Sequence, residues 1–342
     1  MKCNPGQSWL SFFLILILAS PAFGQTRIAY GDNHLVSVPC RTVVSFVFHG
    51  TINDRVSIFF TECSDTGGVC GGWACFCFDQ TVELRNNALD PSSNLVATNN
   101  SGGIDTNDGQ KFRTRIDAKL PNTGDYTINV FDATAHGNGT GTLSLQNNLK
   151  PGQAEWLAGD DVFFDIINTC GELKTYAFQG SGNDVVQIKM TQAAQSAVIP
   201  ILELYDPRGL AIALPRNGNI TADLNLDGNY TILAYSAVAE TGAFAIQFKK
   251  IQKFLRGDAN DNGIVNIADA VTVLSYLFGD GARPECKDAY DANDDGTLNL
   301  ADAIAILSHL FAHAGSLPPP FDACGQDPSN DNLDCQKYES CE

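Results

Sequence analysis

Two twelve-residue stretches near the end of the chain constrain the fold most. They are Asp258-Ala-Asn260-Asp-Asn262-Gly263-Ile264-Val-Asn266-Ile-Ala-Asp269 and Asp291-Ala-Asn293-Asp-Asp295-Gly296-Thr297-Leu-Asn299-Leu-Ala-Asp302. Both place Asp or Asn at positions 1, 3, 5, 9 and 12 and Gly at position 6. Calcium takes about six to eight hard oxygen ligands, and a tight loop with that spacing can bring side-chain oxygens to one point. Glycine at position 6 permits the turn, position 7 offers its backbone carbonyl, and position 9 often acts through water. The candidate ligands are therefore Asp258, Asn260, Asn262, the Ile264 carbonyl, Asn266 and Asp269, then Asp291, Asn293, Asp295, the Thr297 carbonyl, Asn299 and Asp302. Two calcium ions are expected. Asp261 and Asp294 share a non-ligand position. Loop two counts three ligand carboxylates (Asp291, Asp295, Asp302) against two in loop one (Asp258, Asp269), so it is expected to fill first.

Position 12 is Asp in both loops, where the usual EF-hand loop carries Glu. Each loop runs into an amphipathic pattern predicting a helix, over Ile267 to Phe278 and over Leu300 to Phe311. The apolar stripes read from the spacing are Ile267, Val271, Leu274, Leu277, Phe278 and Leu300, Ile304, Leu307, Leu310, Phe311. No comparable helical pattern precedes either loop. This tandem of one-helix calcium hands closely resembles the type I dockerin, a module that docks secreted proteins onto cohesin modules. The resemblance covers the region from Leu255 to Gly315. It implies calcium binding and a cohesin-like partner contacted at loop positions 10 and 11. Those positions are Ile267-Ala268 and Leu300-Ala301 here, where the cellulosomal version has hydroxyl residues, so its cohesin specificity does not carry over. The tail from Phe321 through Cys335 to Cys341 resembles that of dockerin-like modules on planctomycete exported proteins.

The charge agrees with a cation-binding end. The chain has 39 Asp+Glu against 21 Lys+Arg, a net −18, and residues 255–342 alone hold 16 acidic and 4 basic side chains. Nucleic acid and anionic membranes repel such a protein. Lys2, the apolar run Leu10 to Ala19 and the small residues Ala22 and Gly24 read as an export signal cut before Gln25. The run is short of the ~20 residues a membrane span needs, so a secreted or cell-surface location is expected. The 11 cysteines fit an oxidising compartment. Cys3 leaves with the leader. Cys40, Cys63, Cys70, Cys75, Cys77 and Cys170 form one group, of open connectivity; the spacing Cys63 to Cys77 has no CxxC pair, which disfavours zinc. Cys286, Cys324, Cys335 and Cys341 form the other and are expected to pair among themselves, as Cys286–Cys324 with Cys335–Cys341.

Between Gln25 and Lys250 the pattern is short runs of Val, Ile, Phe, Thr and Tyr cut by Asn, Asp and Gly, which predicts strands. It repeats. Cys40 to Gly50 lies over Cys170 to Gly180, and Asn53-Asp54, Val56 and Ile58 over Asn183-Asp184, Val186 and Ile188. Glu83-Leu84 then matches Glu203-Leu204, and Gly124 to Ile128 matches Gly228 to Ile232, so the first copy carries two insertions, near Glu62 to Phe78 and Asn99 to Lys111. Leu202-Glu-Leu-Tyr-Asp-Pro-Arg-Gly209, Leu224 to Tyr230 and Leu120 to Tyr126 resemble the pre-peptidase C-terminal family of β-sandwich modules. That resemblance implies a non-catalytic module that assists binding or folding, with Tyr126 and Tyr230 in core or corner positions.

The expected protein is thus multi-domain and mainly β. It has a leader (1–24), β-sandwich domains at 25–149 and 150–252, a small α-helical tandem calcium-loop domain of dockerin type (253–316) and a cysteine-containing tail (317–342). No G-x-S-x-G, H-E-x-x-H or phosphate-cradling motif is present. His309 and His313, four apart, read as a solvated or packed helix face. A non-catalytic binding and assembly protein is the first expectation, partnered by a cohesin-like module or another cell-surface protein. Its rivals are a secreted hydrolase or accessory protein of polysaccharide catabolism, and an adhesin binding glycan or protein.

Overall fold

The computed structural model describes residues 26–65, 78–89, 94–100, 113–133, 138–159, 162–216, 218–312, 315–329 and 331–341. The leader, Cys70, Cys75, Cys77, His313 and most of both insertions lie outside them. The chain divides after Lys249 into two compact units. In the first, β1 (Thr26–Arg27), β2 (Asn33–Val38), β3 (Val43–Gly50), β4 (Arg55–Asp65), β5 (Gln80–Asn86), β6 (Leu95–Asn100), β7 (Arg113–Lys119), β8 (Gly124–Asp132) and β9 (Gly139–Asn147) form two sheets. Their orders are β1-β3-β8-β5-β6 and β2-β9-β4-β7. The same unit continues with β10 (Glu155–Trp156), β11 (Val162–Ile167), β12 (Lys174–Gly180), β13 (Val185–Gln192), β14 (Pro200–Tyr205), β15 (Ala211–Arg216), β16 (Asn219–Asp223), β17 (Gly228–Ser236) and β18 (Gly242–Ile251). Their sheets, β10-β12-β17-β14-β15 and β11-β18-β13-β16, repeat the first pair strand for strand.

Each pair encloses its own core by alternation of inward apolar residues. Phe46, Phe48, Ile58, Leu84, Ile128 and Leu143 fill the first, and Phe178, Ile188, Leu204, Ile232, Phe244 and Ile246 the second. The matched sequence positions do matched work. Asn53 and Asn183 take left-handed φ of 70° and 78°, a conformation Asn tolerates better than most residues. Their N–H groups donate to the Leu120 and Leu224 carbonyls. Asp54 and Asp184 accept from the Thr51 and Ser181 N–H at 2.9 Å, closing the same turn twice. Tyr126 and Tyr230 are buried, stack on Phe48 and Phe178 at 5.5 and 5.2 Å, and donate four residues back to the Asn122 and Leu226 carbonyls.

The two repeats are also welded. Phe59 of β4 packs with Leu173, Tyr205, Leu233 and Tyr235. Arg115 of β7 donates to buried Glu203 at 2.7 Å and to the Tyr205 hydroxyl at 2.6 Å. Cys63 is bonded to Cys170 across the seam, 107 residues away in sequence. In the chain-entropy account a link closing about 100 residues removes unfolded-state freedom equivalent to about 4.7 kcal/mol.

The second unit carries α1 (Ile267–Phe278), α2 (Lys287–Tyr290) and α3 (Leu300–Phe311). The two long helices fall where the periodicity places them. Asn266 and Asn299 cap them in full capping boxes, with Asp269 and Asp302 at the third helical position. Their core takes only part of the expected stripe: Leu274, Leu277, Leu307 and Leu310 pack against it. Ala270, Val273, Ala303 and Ile306 are buried, whereas Ile267, Val271, Phe278, Leu300, Ile304 and Phe311 are exposed. Both helices are apolar over two adjacent stripes, and the small Ala270 and Ala303 let the backbones approach, so packing selects the stripe that holds them. The four C-terminal cysteines pair among themselves, but as Cys286–Cys335 and Cys324–Cys341, correcting the expected connectivity. Cys335 and Cys286 face each other in an antiparallel bridge, flanked by Lys287 N–H to Asp334 O and Gln336 N–H to Glu285 O at 2.9 Å. That backbone pairing, invisible in cysteine spacing, decides the partner. Among the described residues no helix is long and apolar enough to cross a membrane.

Candidate calcium centre

Each loop is shaped by its first carboxylate. Asp258 accepts from the Asn262 and Gly263 N–H at 3.1 and 2.7 Å; Asp291 accepts from the Asp295 and Gly296 N–H at 3.2 and 2.8 Å. Gly263 and Gly296 sit at φ of 79° and 74°, which a side chain would strain. Position 12 closes the loop from the far end. Asp269 accepts from the Asn260 and Asn266 N–H, and Asp302 from the Asn293 and Asn299 N–H. Positions 1 and 12 are thereby brought side by side, although they begin and end the loop.

All four of these carboxylates are buried at 0% exposure. Burial raises the Asp269 carboxyl above its ordinary range, and Asp258 beside it adds to the rise. Asp302 is pushed up to about 6 by burial and by Asp291. Two buried carboxylates facing each other are costly unless a cation lies between them. The Asn260 Oδ1, at position 3, is buried with no hydrogen-bond partner among the described residues. An orphaned oxygen beside a repelling carboxylate pair is a donor set of the hard, all-oxygen kind calcium takes. The residues fit the ion.

The other predicted positions are distributed as follows. Asn262 and Asp295 accept from the N–H of Ile264 and Thr297, and Asn293 and Asp295 are joined at 2.9 Å. Asn266 and Asn299 cap the helices through Oδ1 and donate to the position-7 carbonyls of Ile264 and Thr297. Ile267 and Leu300 are exposed at 56% and 47%; Ala268 is exposed and Ala301 half-buried, so the expected partner positions reach the surface of both helices. His309 stacks edge-on against Phe321 at 4.7 Å and its Nδ1 lies 2.7 Å from the Gly315 carbonyl.

Two residues that sequence reasoning passed over, Tyr338 and Arg256, and one that it set aside as a non-ligand, Asp261, brace the loops. Tyr338, buried in the tail, donates to Asp258 Oδ2 at 2.5 Å. Asp261, the non-ligand position of loop one, accepts from the Glu339 and Ser340 N–H at 2.7 and 2.9 Å. Arg256, 1% exposed, donates to the Asp291 carbonyl at 2.7 Å and pairs with Asp294 and Asp327. The position shared by Asp261 and Asp294 therefore anchors other parts of the chain. Only the tail's position in space reveals this, though an aromatic at 338 among polar neighbours was a faint signal.

With this geometry in hand, the comparisons agree at the C-terminal end. Residues 256–310 match the family model of the dockerin type I domain, a class of module that mediates protein–protein assembly. No curated protein matches the chain. Among solved structures, the pre-peptidase C-terminal domain of a collagenase from Bacillus anthracis is similar at 17% identity, covering 37% of this chain and 100% of that one, with a TM-score of 0.26. Tandem CBM51 modules of a family 98 glycoside hydrolase from Streptococcus pneumoniae match at 10% identity over 63% of this chain and 83% of theirs, TM-score 0.21. At such scores these two neighbours fix no role for the sandwiches.

Proposed function

We propose that this chain is an exported, non-catalytic assembly protein. Calcium in its two loops holds a dockerin-type surface that docks to a cohesin-like module, and the sandwiches bind or space. We take residues 1–24 as the leader, 25–149 and 150–252 as the sandwiches, 253–316 as the docking module and 317–342 as the tail that braces it. Asp258, Asn260, Asn262, the Ile264 carbonyl, Asn266 and Asp269 would hold one ion, and Asp291, Asn293, Asp295, the Thr297 carbonyl, Asn299 and Asp302 the other. The ion supplies positive charge between buried carboxylates and no chemistry beyond that.

The observation that carries the reading is the duplicated apolar face. Ile267, Val271 and Phe278 on α1 and Leu300, Ile304 and Phe311 on α3 stand exposed at matching positions. Exposed clusters of large apolar side chains beside a structured site mark association surfaces. The disulfides and the anionic surface suit an extracellular setting.

The test is capture of a purified cohesin-type module, and of extracellular proteins of the source, by the immobilised full chain with calcium and with chelator. Calcium-dependent capture that Ile267→Asp plus Leu300→Asp abolishes is expected. Capture indifferent to both would overturn the docking role. Turnover of polysaccharide or peptide by the full chain would overturn the non-catalytic one. Calorimetry should show Asp291→Ala weakening the tighter of the two loop steps and Asp258→Ala the looser, since loop two has the larger ligand charge.

A further inference from the structure

Outside the two loops, a second kind of acidic cluster joins the tail to α2. One carboxylate oxygen each from Asp288, Asp327 and Asp331 lies within 4.8 Å of the other two. The tail is brought there by the Cys286–Cys335 bond and the backbone pairing around it. Asp327 is braced by the Arg256 guanidinium at 2.6 Å and by the Ser329 hydroxyl at 2.9 Å. Asp331 accepts from the Leu333 N–H at 2.7 Å and from the Ser329 hydroxyl at 3.2 Å.

Asp288 is different. It is 5% exposed, its backbone carbonyl accepts from Arg256, and among the described residues its carboxylate has no hydrogen-bond donor. A side chain more than nine-tenths buried, whose carboxylate lies against two others with no donor of its own, is short of a positive partner. The one guanidinium beside these three carboxylates, that of Arg256, is shared with Asp294, so negative charge is left over that a divalent cation would offset.

We propose that Asp288, Asp327 and Asp331 form a third divalent-cation site, of calcium type, that fastens the tail to the docking module. All three donors are carboxylate oxygens, the hard ligands calcium prefers, and water completes the shell. Asp331 also lies within 4.8 Å of carboxylate oxygens of Asp291 and Asp294. It therefore links the tail ion to the first ligand of loop two, and filling either site affects the other.

Counting calcium on the full chain by calorimetry and equilibrium dialysis, with calcium chloride as the only divalent ion, tests this. Three equivalents are expected. Asp288→Asn, an amide of the same shape, should bind two and keep its helical signal in calcium. Asp331→Asn should also bind two and weaken loop two about threefold or more. Two equivalents for the unaltered chain would overturn the third site and leave the loops standing. Three equivalents in folded Asp288→Asn and Asp331→Asn would likewise overturn it. No calcium at all would defeat the loop assignment as well, so the two failures are distinguishable. Should Asp288→Asn lose its helix in calcium, the count on the unaltered chain and on Asp331→Asn decides.

Discussion

The sandwich unit and the C-terminal unit solve the same problem with different materials. The second sandwich buries Tyr176, Phe178, Tyr230, Phe244 and a full set of branched aliphatics. The C-terminal unit has a core in which half of the buried members are alanines, Ala259, Ala270, Ala292 and Ala303, beside Val273, Ile306, Tyr290 and Leu317. What it lacks in apolar burial it replaces with two disulfides and buried Asp258, Asp269, Asp291, Asp302 and Asp288. Apolar burial stabilises under any ionic condition. Buried carboxylates stabilise only when something positive joins them, so the same compactness becomes conditional.

Removing calcium should give the largest difference between the units. Each loop ion contributes about 2.7 kcal/mol when calcium is a hundredfold above its dissociation constant, so about 5 kcal/mol is at stake in the two loops. Chelator should abolish the helical circular dichroism of α1 and α3 while the β signal and the melting of the sandwiches persist. A helical signal unchanged by chelator would erase the contrast.

Phe178→Ala should do the converse. The ring is 1% exposed, stacked on Tyr230 and 4.6 Å from the Phe248 ring centroid. Loss of about 3–5 kcal/mol from the sandwich unit is expected, with the calcium titration of the chain unmoved. A shifted titration would mean that the units do not draw on separate sources of stability.

A finer comparison lies between the repeats themselves. Glu83 and Glu203 are matched residues, yet Glu83 pairs with Arg85 near the surface, while Glu203 is buried against Arg115, Tyr205 and Tyr235. Glu203→Ala should cost about 2 kcal/mol, because it leaves a charged guanidinium and two hydroxyls short of an acceptor. Glu83→Ala should stay within about 1 kcal/mol. Equal losses in denaturant melts would show that the seam adds nothing to the pair.

The smallest expected effect is Tyr338→Phe. Deleting the hydroxyl removes one bond to Asp258 and should lower the calcium-loaded stability of the C-terminal unit by about 1 kcal/mol. Loop one should bind calcium less tightly and loop two as before. A change confined to loop two would assign the tail to the wrong hand.

The sequence by itself determined a good deal of this. Spacing of Asp, Asn and Gly was enough for the loops, because consecutive residues of a tight turn have few ways to point. The extents of α1 and α3 followed from the apolar period for the same reason: a helix is set by residues within a turn or two of each other. The repeat was legible because Asn53-Asp54 and Asn183-Asp184, or Tyr126 and Tyr230, carry local turn and corner chemistry that tolerates little change. Tertiary structure alone decided the rest. It buried Ala270, Val273, Ala303 and Ile306 and left Ile267, Val271, Leu300 and Ile304 exposed, since two apolar stripes satisfy one period. It paired Cys335 with Cys286 and Cys341 with Cys324, and Cys63 with Cys170 across the seam, because disulfides follow the distance between strands rather than along the chain. It also buried Glu203 but not Glu83, and set Asp327 and Asp331 against Asp288. Contacts between residues dozens apart depend on how whole elements pack, and no local pattern encodes that packing.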